Sequence, residues 1–231
     1  RTCSAIMTAV TQRPDAPAGS TAAAGGLAPG RRWRGATLTE RAAQRREQLL
    51  DAGLEMFGTL GVRSTTVRGV CLQAGLTERY FYESFHNLLE CFSAVHDAAV
   101  RTTLNAMEMG ALTARRGGGD RRVVARAGVT SVVTTLRQDP RLARVMLMEP
   151  LGVDRTTEQQ YRNAMVQAAA LLTSLSDASE PRSEMVRVGV VGATLAIVLM
   201  WLLDDFRAPM DEILDQCTAI VEAVLVQPRA A

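Results

Sequence analysis

The sequence predicts an all-α protein, with a three-helix N-terminal part that contains a helix-turn-helix and a helical bundle after it. Ala, Leu, Val and Arg dominate the 231 residues, and Pro is sparse after the first thirty positions, as is typical of helices. Apolar residues recur at spacings of three and four along much of the chain, and β-type alternation is rare. A chain of this length holds one or two domains with a substantial core.

The composition divides the chain into a tail (1–36), a helix-turn-helix domain (37–86) and a C-terminal domain (87–231). The tail is rich in Ala, Gly, Thr and Pro, and it lacks periodicity, so we interpret it as disordered. Its closing arginines, Arg31, Arg32 and Arg34, either reach DNA phosphates or a minor groove, or form a solvated basic tail. The polar start has no apolar signal core, which favours a cytoplasmic protein.

Helix boundaries are marked by capping residues. Thr39 is expected to open the first helix, with Glu40 in its positive first turn and Gly61 at its end. The expected later helices cover about 64–74, 77–85, 87–110, 120–138, 141–148, 155–177, 182–206 and 210–226. The two short helices are joined by Ala74-Gly75-Leu76-Thr77, in which Gly75 supplies an unusual backbone conformation and Ala74 allows close approach.

Charge and cysteine usage limit the possible functions. The net charge is +2, but residues 31–87 hold nine Arg and six acidic residues, a modest basic excess. Cys3, Cys71, Cys91 and Cys217 are scattered, so we expect free thiols. The chain has two His, and it lacks a phosphate loop and any nucleophile–base–acid set. We therefore expect neither an enzyme nor a bound metal or cofactor.

The segment from Leu49 to Phe85 resembles the DNA-binding domain of the TetR (tetracycline-repressor) family. The resemblance rests on the run 49–57 (LLDAGLEMF), Gly61, the run 65–67 (TTV), the run 74–77 (AGLT) and the run 82–85 (YESF). It covers residues 39–95 closely, and the rest agrees only in helical character and length. It implies a repressor released from a pseudo-palindromic operator by a small-molecule effector.

The resemblance also implies site residues. Glu78, Arg79 and Tyr80 match positions that face bases, and Tyr82 matches a phosphate-binding tyrosine. Thr66 and Arg68 match positions that contact the DNA backbone. The full set of expected DNA-binding residues is Thr66, Arg68, Thr77, Glu78, Arg79, Tyr80, Tyr82, Ser84, His86 and Asn87. An arginine such as Arg79 can donate two hydrogen bonds to guanine O6 and N7. The alternative to a DNA contact is a solvated charge for Arg79, and a helix cap or an ion pair with Arg79 for Glu78.

Two positions depart from the family pattern. Leu88 stands where the family usually carries a Lys after the recognition helix, so one phosphate contact is missing and His86 or Asn87 would substitute weakly. Gly53 replaces the usual Ala of the first helix, which costs up to ~1 kcal/mol of helix propensity.

The last two helices are the expected dimer interface, because apolar residues repeat along them and Gly189, Gly192 and Ala193 permit close approach. The resemblance implies a two-fold four-helix bundle here. The expected interface residues are Val191, Leu195, Val198, Leu202, Ile213, Ile220 and Val224.

An apolar effector pocket is expected among the middle helices of the C-terminal domain, and plain helical core is the alternative for each of its residues. The candidates share adaptable or large apolar side chains: Met107, Met146, Met148, Met165, Met185, Met200 and Trp201.

The apolar run from Val188 to Leu203 is short for a membrane span, so we expect a helix in a core or a subunit interface, and no membrane partner. The alternative to a regulator is a helical interaction or membrane-surface protein without sequence-specific DNA binding, which leaves the helix-turn-helix unexplained.

Overall fold

The computed structural model describes residues 37–149, 155–176 and 183–225, and the tail 1–36 lies outside them. The described residues belong to one compact unit. They form helices without a strand, which confirms the all-α prediction. The helices described are α1 (Leu38–Leu60), α2 (Val67–Ala74), α3 (Glu78–Ser84), α4 (Leu88–Arg116), α5 (Arg121–Gln138), α6 (Pro140–Ala143), α7 (Arg155–Ser176), α8 (Glu184–Leu203) and α9 (Met210–Leu225).

Three helix ends differ from the sequence-based expectation. Thr37, not Thr39, caps α1: its hydroxyl accepts the N–H of Glu40 at 3.1 Å, and the Glu40 carboxylate accepts the Thr37 N–H. This reciprocal pair is a capping box, for which Thr39 lacks an acid three residues on. α4 runs to Arg116, beyond the expected end near 110. α8 ends at Leu203 because Asp205 and Phe206 adopt left-handed backbone angles, with φ of 52° and 58°.

The first three helices pack around a small aromatic core. Phe57, Phe81 and Phe85 are buried. Phe57 meets Phe92 of α4 edge-on at 5.2 Å between ring centroids. Contacts of this kind fix α1 and α3 against the start of α4.

Gly53 lies where α1 and α4 approach each other. A Cβ at this position would stand 2.8 Å from Val95 Cγ2 of α4 and 3.3 Å from a ring carbon of Phe57. Such distances are shorter than a van der Waals contact. The departure from the family's Ala at this position is therefore explained by the close approach of α4.

A second junction joins α1 to α6 and to the π-helical turn Arg144–Met148 that continues it. A Cβ on Gly58 would come within 2.5 Å of Arg141 Cβ and 2.9 Å of its backbone Cα, so the backbones are in direct contact.

Polar side chains add to this junction. The Arg141 guanidinium donates to Asp139 and to Glu55 of α1 at 2.6–2.7 Å. The hydrogen bonds from Arg141, together with the positive charge of its guanidinium, lower the pKa of Asp139. Glu149 accepts the N–H of Val62 at 2.9 Å.

Helix α8 is apolar on every side, and only 22% of its most apolar 18-residue window is buried. By length and composition it is the described helix that passes the test for a membrane span, with a mean hydropathy of 2.2. Apart from Glu184 in the first turn, its exposed positions form one continuous stripe, which we call the α8 stripe: Met185, Val186, Gly189, Ala193, Ala196, Met200 and Leu203. Burial in the core of the single chain therefore does not account for this face of α8, and the alternative of a subunit interface stays a prediction.

Candidate functional site

The α2–α3 turn has the predicted geometry. Gly75 adopts a left-handed conformation with φ of 66°, and nothing lies within 4 Å of the place where a Cβ would stand. The N–H of Leu76 reaches back to the carbonyl of Cys71 at 2.9 Å, which closes the end of α2. The requirement at Gly75 is thus for its backbone angle and not for space.

Thr66 and Arg68 lie at the exposed start of α2. Thr66 is the N-cap, and its hydroxyl oxygen accepts the N–H of Gly69 at 3.1 Å. The hydroxyl keeps its own proton for a second partner, and a helix N-terminus is a favourable place for a phosphate oxygen. Thr65 beside it has a structural role instead, since its buried hydroxyl donates to the Gly61 carbonyl at 2.8 Å.

Arg79 projects from α3 with 83% of its side chain exposed, and its Nε donates to Glu83 at 3.1 Å. Glu83 also lies 3.5 Å from the guanidinium of Arg45 on α1. Arg79 is therefore held by an exposed ion pair, which is worth little in water and leaves its terminal nitrogens free to turn toward a base. Thr77 and Glu78 are both exposed at the start of the same helix.

The two tyrosines of α3 have different surroundings. Tyr80 is half-buried beneath Arg45, whose guanidinium carbon stands 4.4 Å above the ring centroid. Tyr82 is 57% exposed and contacts only the edge of Phe81 among the described aromatic rings. Ser84 is half-buried at the end of α3. Tyr82 is thus well placed to reach outward, while Tyr80 is constrained by its neighbour.

His86 and Asn87 cap α4. The Asn87 side chain accepts the N–H of Glu90 at 2.9 Å, and Glu90 accepts from both the backbone N–H and Nδ1 of His86 at 2.7 Å. These bonds to His86 lower the pKa of Glu90. Leu88 packs partly into the core at the first position of α4. The expected phosphate-binding Lys is thus replaced by an apolar contact at the base of the motif.

Arg45 and Arg46 are site residues that the sequence reasoning missed. Arg45 connects α1 to both Tyr80 and Glu83 of α3, and the Arg46 guanidinium lies 4.5 Å from the Phe85 ring centroid. Both orient the third helix from behind. Their spacing carries no signal that separates them from the other arginines of the chain, because the contacts depend on how α1 and α3 cross.

Solved structures of transcription regulators share this arrangement. FadR of Bacillus subtilis, in complex with stearoyl-CoA, matches with a TM-score of 0.64 at 15% identity, over 78% of this chain and 97% of that one. FadR of Bacillus halodurans, a fatty acid degradation regulator, gives 0.65 at 15% identity over 81% and 97%. A TetR family transcription regulator from Marinobacter aquaeolei VT8 gives 0.61 at 16% identity over 81% and 98%.

The chain has the fold of the TetR-family regulators. Neither a known protein-family profile nor a curated protein matches its sequence. In this fold, the helix-turn-helix of α2 and α3 precedes a helical ligand-binding domain, which is the arrangement that the sequence predicted.

A cavity lies between α4, α5, α7 and α8. The space between the atoms at this site is about 720 Å³, and part of this space is open to solvent. Met107, Met146 and Met165 contribute to its wall, as do Leu104, Val129 and Leu195. Three of the seven expected pocket residues are thus brought together, on α4, the π-helical turn and α7.

The other four expected pocket residues lie elsewhere. Met148, Met185 and Met200 are exposed by 40%, 80% and 59%, because they fall on the outer faces of the π-helical turn and α8. Trp201 is buried, but it packs edge-on against Phe206 and donates its Nε1–H to the Ala208 carbonyl at 2.9 Å. Trp201 therefore anchors the turn after α8.

The residues expected at a dimer interface face mainly inward. Val191, Val198 and Ile213 are buried within the chain, and Leu195 lines the cavity. Leu202 and Ile220 are half-buried against the core, and the side chain of Val224 lies outside the described residues. The α8 members of this set lie on the side of the helix opposite to the α8 stripe, and the part of the set in a dimer stays a prediction.

Proposed function

We propose that this protein is a dimeric, cytoplasmic DNA-binding transcription regulator that a small-molecule effector releases from its operator. The observation that carries the proposal is the α2–turn–α3 unit, whose exposed Thr66, Arg68, Arg79 and Tyr82 share one end of a fold known from transcription regulators. In a helix-turn-helix, the start of the second helix reads base edges in the major groove. Repression is the expected mode.

The contacts separate into two groups. Arg79 is the candidate base reader, since a bidentate Arg–guanine contact contributes about 1–3 kcal/mol of discrimination. Thr66, Arg68 and Tyr82 are candidate phosphate contacts, which position the protein without reading sequence. The exposed ion pair with Glu83 is weak, so DNA can replace it as the partner of Arg79 at little cost.

We propose that the α8 stripe, with half-buried Ile220 of α9, is the dimer interface. Seven exposed apolar residues on one helix face form a surface that water disfavours. Small residues at positions 189, 193 and 196 allow two helices to approach closely. A two-fold dimer places its recognition helices about 34–36 Å apart, which requires a pseudo-palindromic operator.

The effector is proposed to occupy the cavity. Met146 lines it, and the same short segment, from Arg141 to Glu149, contacts α1 through Gly58, Glu55 and the N–H of Val62. A molecule that displaces Met146 thus acts on the support of the helix-turn-helix. Release follows if the ligand favours a dimer whose recognition helices no longer match the operator.

The experiment begins with selection of an operator from random DNA by the full-length protein. Binding is then measured at several salt concentrations, since phosphate contacts give a linear dependence of log affinity on log salt. Arg79→Ala should lower affinity and relax preference at one base position. Thr66→Ala and Tyr82→Phe should weaken all sequences alike, and Arg162→Ala, exposed on α7, serves as the control.

Two outcomes contradict the proposal in different ways. An unchanged base preference in Arg79→Ala removes Arg79 from readout while leaving DNA binding intact. Absence of DNA binding even at low salt favours the alternative of an interaction or membrane-surface protein, and the α8 stripe is the feature on which that alternative rests. Sedimentation with lipid vesicles then decides whether α8 meets a membrane.

A further inference from the structure

Four polar side chains, among them the imidazole of His96, interrupt the wall of a largely apolar cavity. The described residues that line the cavity are aliphatic or contain sulfur, apart from His96, Thr103, Tyr161 and Thr194, and none of them carries a full charge when His96 is neutral. The chemistry of a ligand is therefore decided by a small number of polar atoms.

The two threonines of the wall already use their hydroxyl protons. Thr103 Oγ1 donates to the Ala99 carbonyl at 3.0 Å and lies 3.3 Å from Met146 Sδ. Thr194 Oγ1 donates to the Val190 carbonyl at 3.0 Å. Bonds of this kind, made within one helix, leave threonine as a largely apolar surface for a ligand.

His96 has no such partner. The residue is 0% exposed, and neither ring nitrogen has a hydrogen-bond partner among the described residues. Asp97 Oδ1 is 3.8 Å from Nδ1, which is too long for a hydrogen bond, and the same carboxylate accepts from Gln160 at 3.2 Å. Buried polar groups in native proteins are almost always paired, so an unpaired imidazole in a cavity wall needs an explanation.

The protonation state of His96 narrows the choice of partner. Burial lowers its pKa, against the weaker opposing effect of Asp97, so the ring is neutral at neutral pH. A neutral imidazole offers one N–H donor and one acceptor nitrogen. It can bond an uncharged oxygen, but it supplies no charge to compensate a buried carboxylate or phosphate.

We propose that the cavity binds an uncharged, largely aliphatic molecule carrying one hydrogen-bonding oxygen, and that His96 bonds this oxygen. Ketones, alcohols and esters share this chemistry. The inference deepens the proposed function, since it names the ligand class of the proposed effector site. A charged headgroup, such as the CoA part of the FadR ligand, finds no cation in the wall formed by the described residues.

Three probes with matched chains test the proposal: 2-nonanone, nonane and nonanoate. Headspace gas chromatography gives the free concentration of the two volatile probes over the full-length protein without DNA, and calorimetry gives nonanoate binding. Each affinity is measured for the wild-type protein and for His96→Leu. Comparing the two proteins for one probe cancels the cost of transferring that probe from water.

The ketone should lose about tenfold or more in affinity in His96→Leu, as expected for a buried hydrogen bond, while nonane binding should change little. His96→Gln keeps a donor and an acceptor, so it should preserve much of the preference for ketone. The proposal is overturned if ketone and nonane lose affinity equally, or if nonanoate binds the wild-type protein more tightly than the ketone does.

A second measurement covers the case in which His96→Leu does not fold. The ring ¹⁵N resonances of His96 in the wild-type protein should shift on addition of 2-nonanone and stay unchanged with nonane; unchanged resonances with both probes overturn the proposal. Operator affinity is measured separately, with and without 2-nonanone. Ketone binding through His96 with unaffected operator binding rejects the effector role alone, whereas operator binding without ketone binding rejects the ligand class alone.

Discussion

The helices between residues 37 and 87 and the helices from α7 onward differ in what fixes the orientation of each side chain. In the first region, contacts between residues three or four apart set the geometry, as in the Thr37–Glu40 capping box and the Arg79–Glu83 ion pair. In the second region, α8 is apolar on every side, and its inward face is chosen by α7 and α9. Contacts between residues close in the chain can therefore be predicted from sequence. Which side of an all-apolar helix faces the core cannot be predicted in this way.

The largest expected effect is dissociation of the proposed dimer by a charge placed on the exposed surface of the second region. Ala196→Arg places a guanidinium in the α8 stripe, where burial of an unpaired charge costs several kcal/mol. The dimer dissociation constant should rise by about 100-fold or more, since each 1.4 kcal/mol is tenfold. Analytical ultracentrifugation at micromolar concentration measures the shift to monomer.

The matched control for that substitution is Ala170→Arg, on the exposed face of α7. This variant should remain dimeric. If both variants stay dimeric, the α8 stripe is not the interface; if the wild-type protein is a monomer, the proposed dimer is wrong altogether.

The next effect concerns the junction between the two regions. In Gly58→Ala, the new methyl group meets the Arg141 backbone at 2.9 Å and its Cβ at 2.5 Å, and overpacking of this kind costs about 1–3 kcal/mol. The gain in helix propensity, up to ~1 kcal/mol, offsets part of it. We expect the free energy of unfolding to fall by about 1–2 kcal/mol in urea denaturation, while Gly117→Ala, at an exposed helix end with φ of −74°, changes it little. Equal stability of the two variants would show that α6 shifts to accommodate the new methyl group at little cost in free energy.

A smaller effect examines the local contacts of the first region. Thr66→Ala removes the bond to the Gly69 N–H at the start of α2, and loss of an N-cap costs about 1 kcal/mol. Thr66→Ser keeps the hydroxyl and should retain most of the stability. Thermal unfolding followed by circular dichroism compares the three proteins. A Thr66→Ala variant as stable as the wild type would mean that long-range packing, not the cap, holds α2.

The smallest effect is a pH dependence that comes from His96. Because its pKa is lowered in the folded protein, the unfolded chain binds more protons once the pH falls below about 6.5. Stability should therefore be intact above that value and decline as the pH falls toward the lowered folded pKa. The urea midpoint should drop more between pH 7.5 and 5.5 in the wild-type protein than in His96→Gln. An equal drop in both proteins would assign the acid sensitivity to other groups.

The parts of the site that sequence reasoning predicted are those in which neighbours in the chain are neighbours in space. The turn at Gly75 depends on a few consecutive residues, and the fold class depends on periodicity. The choice of Thr39 as the first cap was wrong because the decisive partner, Glu40, suits Thr37 at a spacing of three. The positions of Met185 and Met200 depend on which side of the nearly uniform apolar helix α8 faces the core, and composition does not encode this.

His96 shows the same limit from the other side. One His among apolar neighbours on α4 looks like a core residue, and only the tertiary structure leaves both of its nitrogens without a partner among the described residues. Arg45 is similar, because its contacts with Tyr80 and Glu83 join helices 35 or more residues apart.

The rings of His96, Phe92 and Phe57 follow one another in contact from the cavity to α1. Their centroids are 6.4 Å and 5.2 Å apart, so one phenylalanine ring separates the cavity-lining imidazole from α1, the first helix of the half that contains the helix-turn-helix. Close-packed interiors do not absorb a displaced ring without moving its neighbours. A single layer of side chains thus separates the two halves. A side chain displaced on one side of this layer acts on the other side directly through packed contacts.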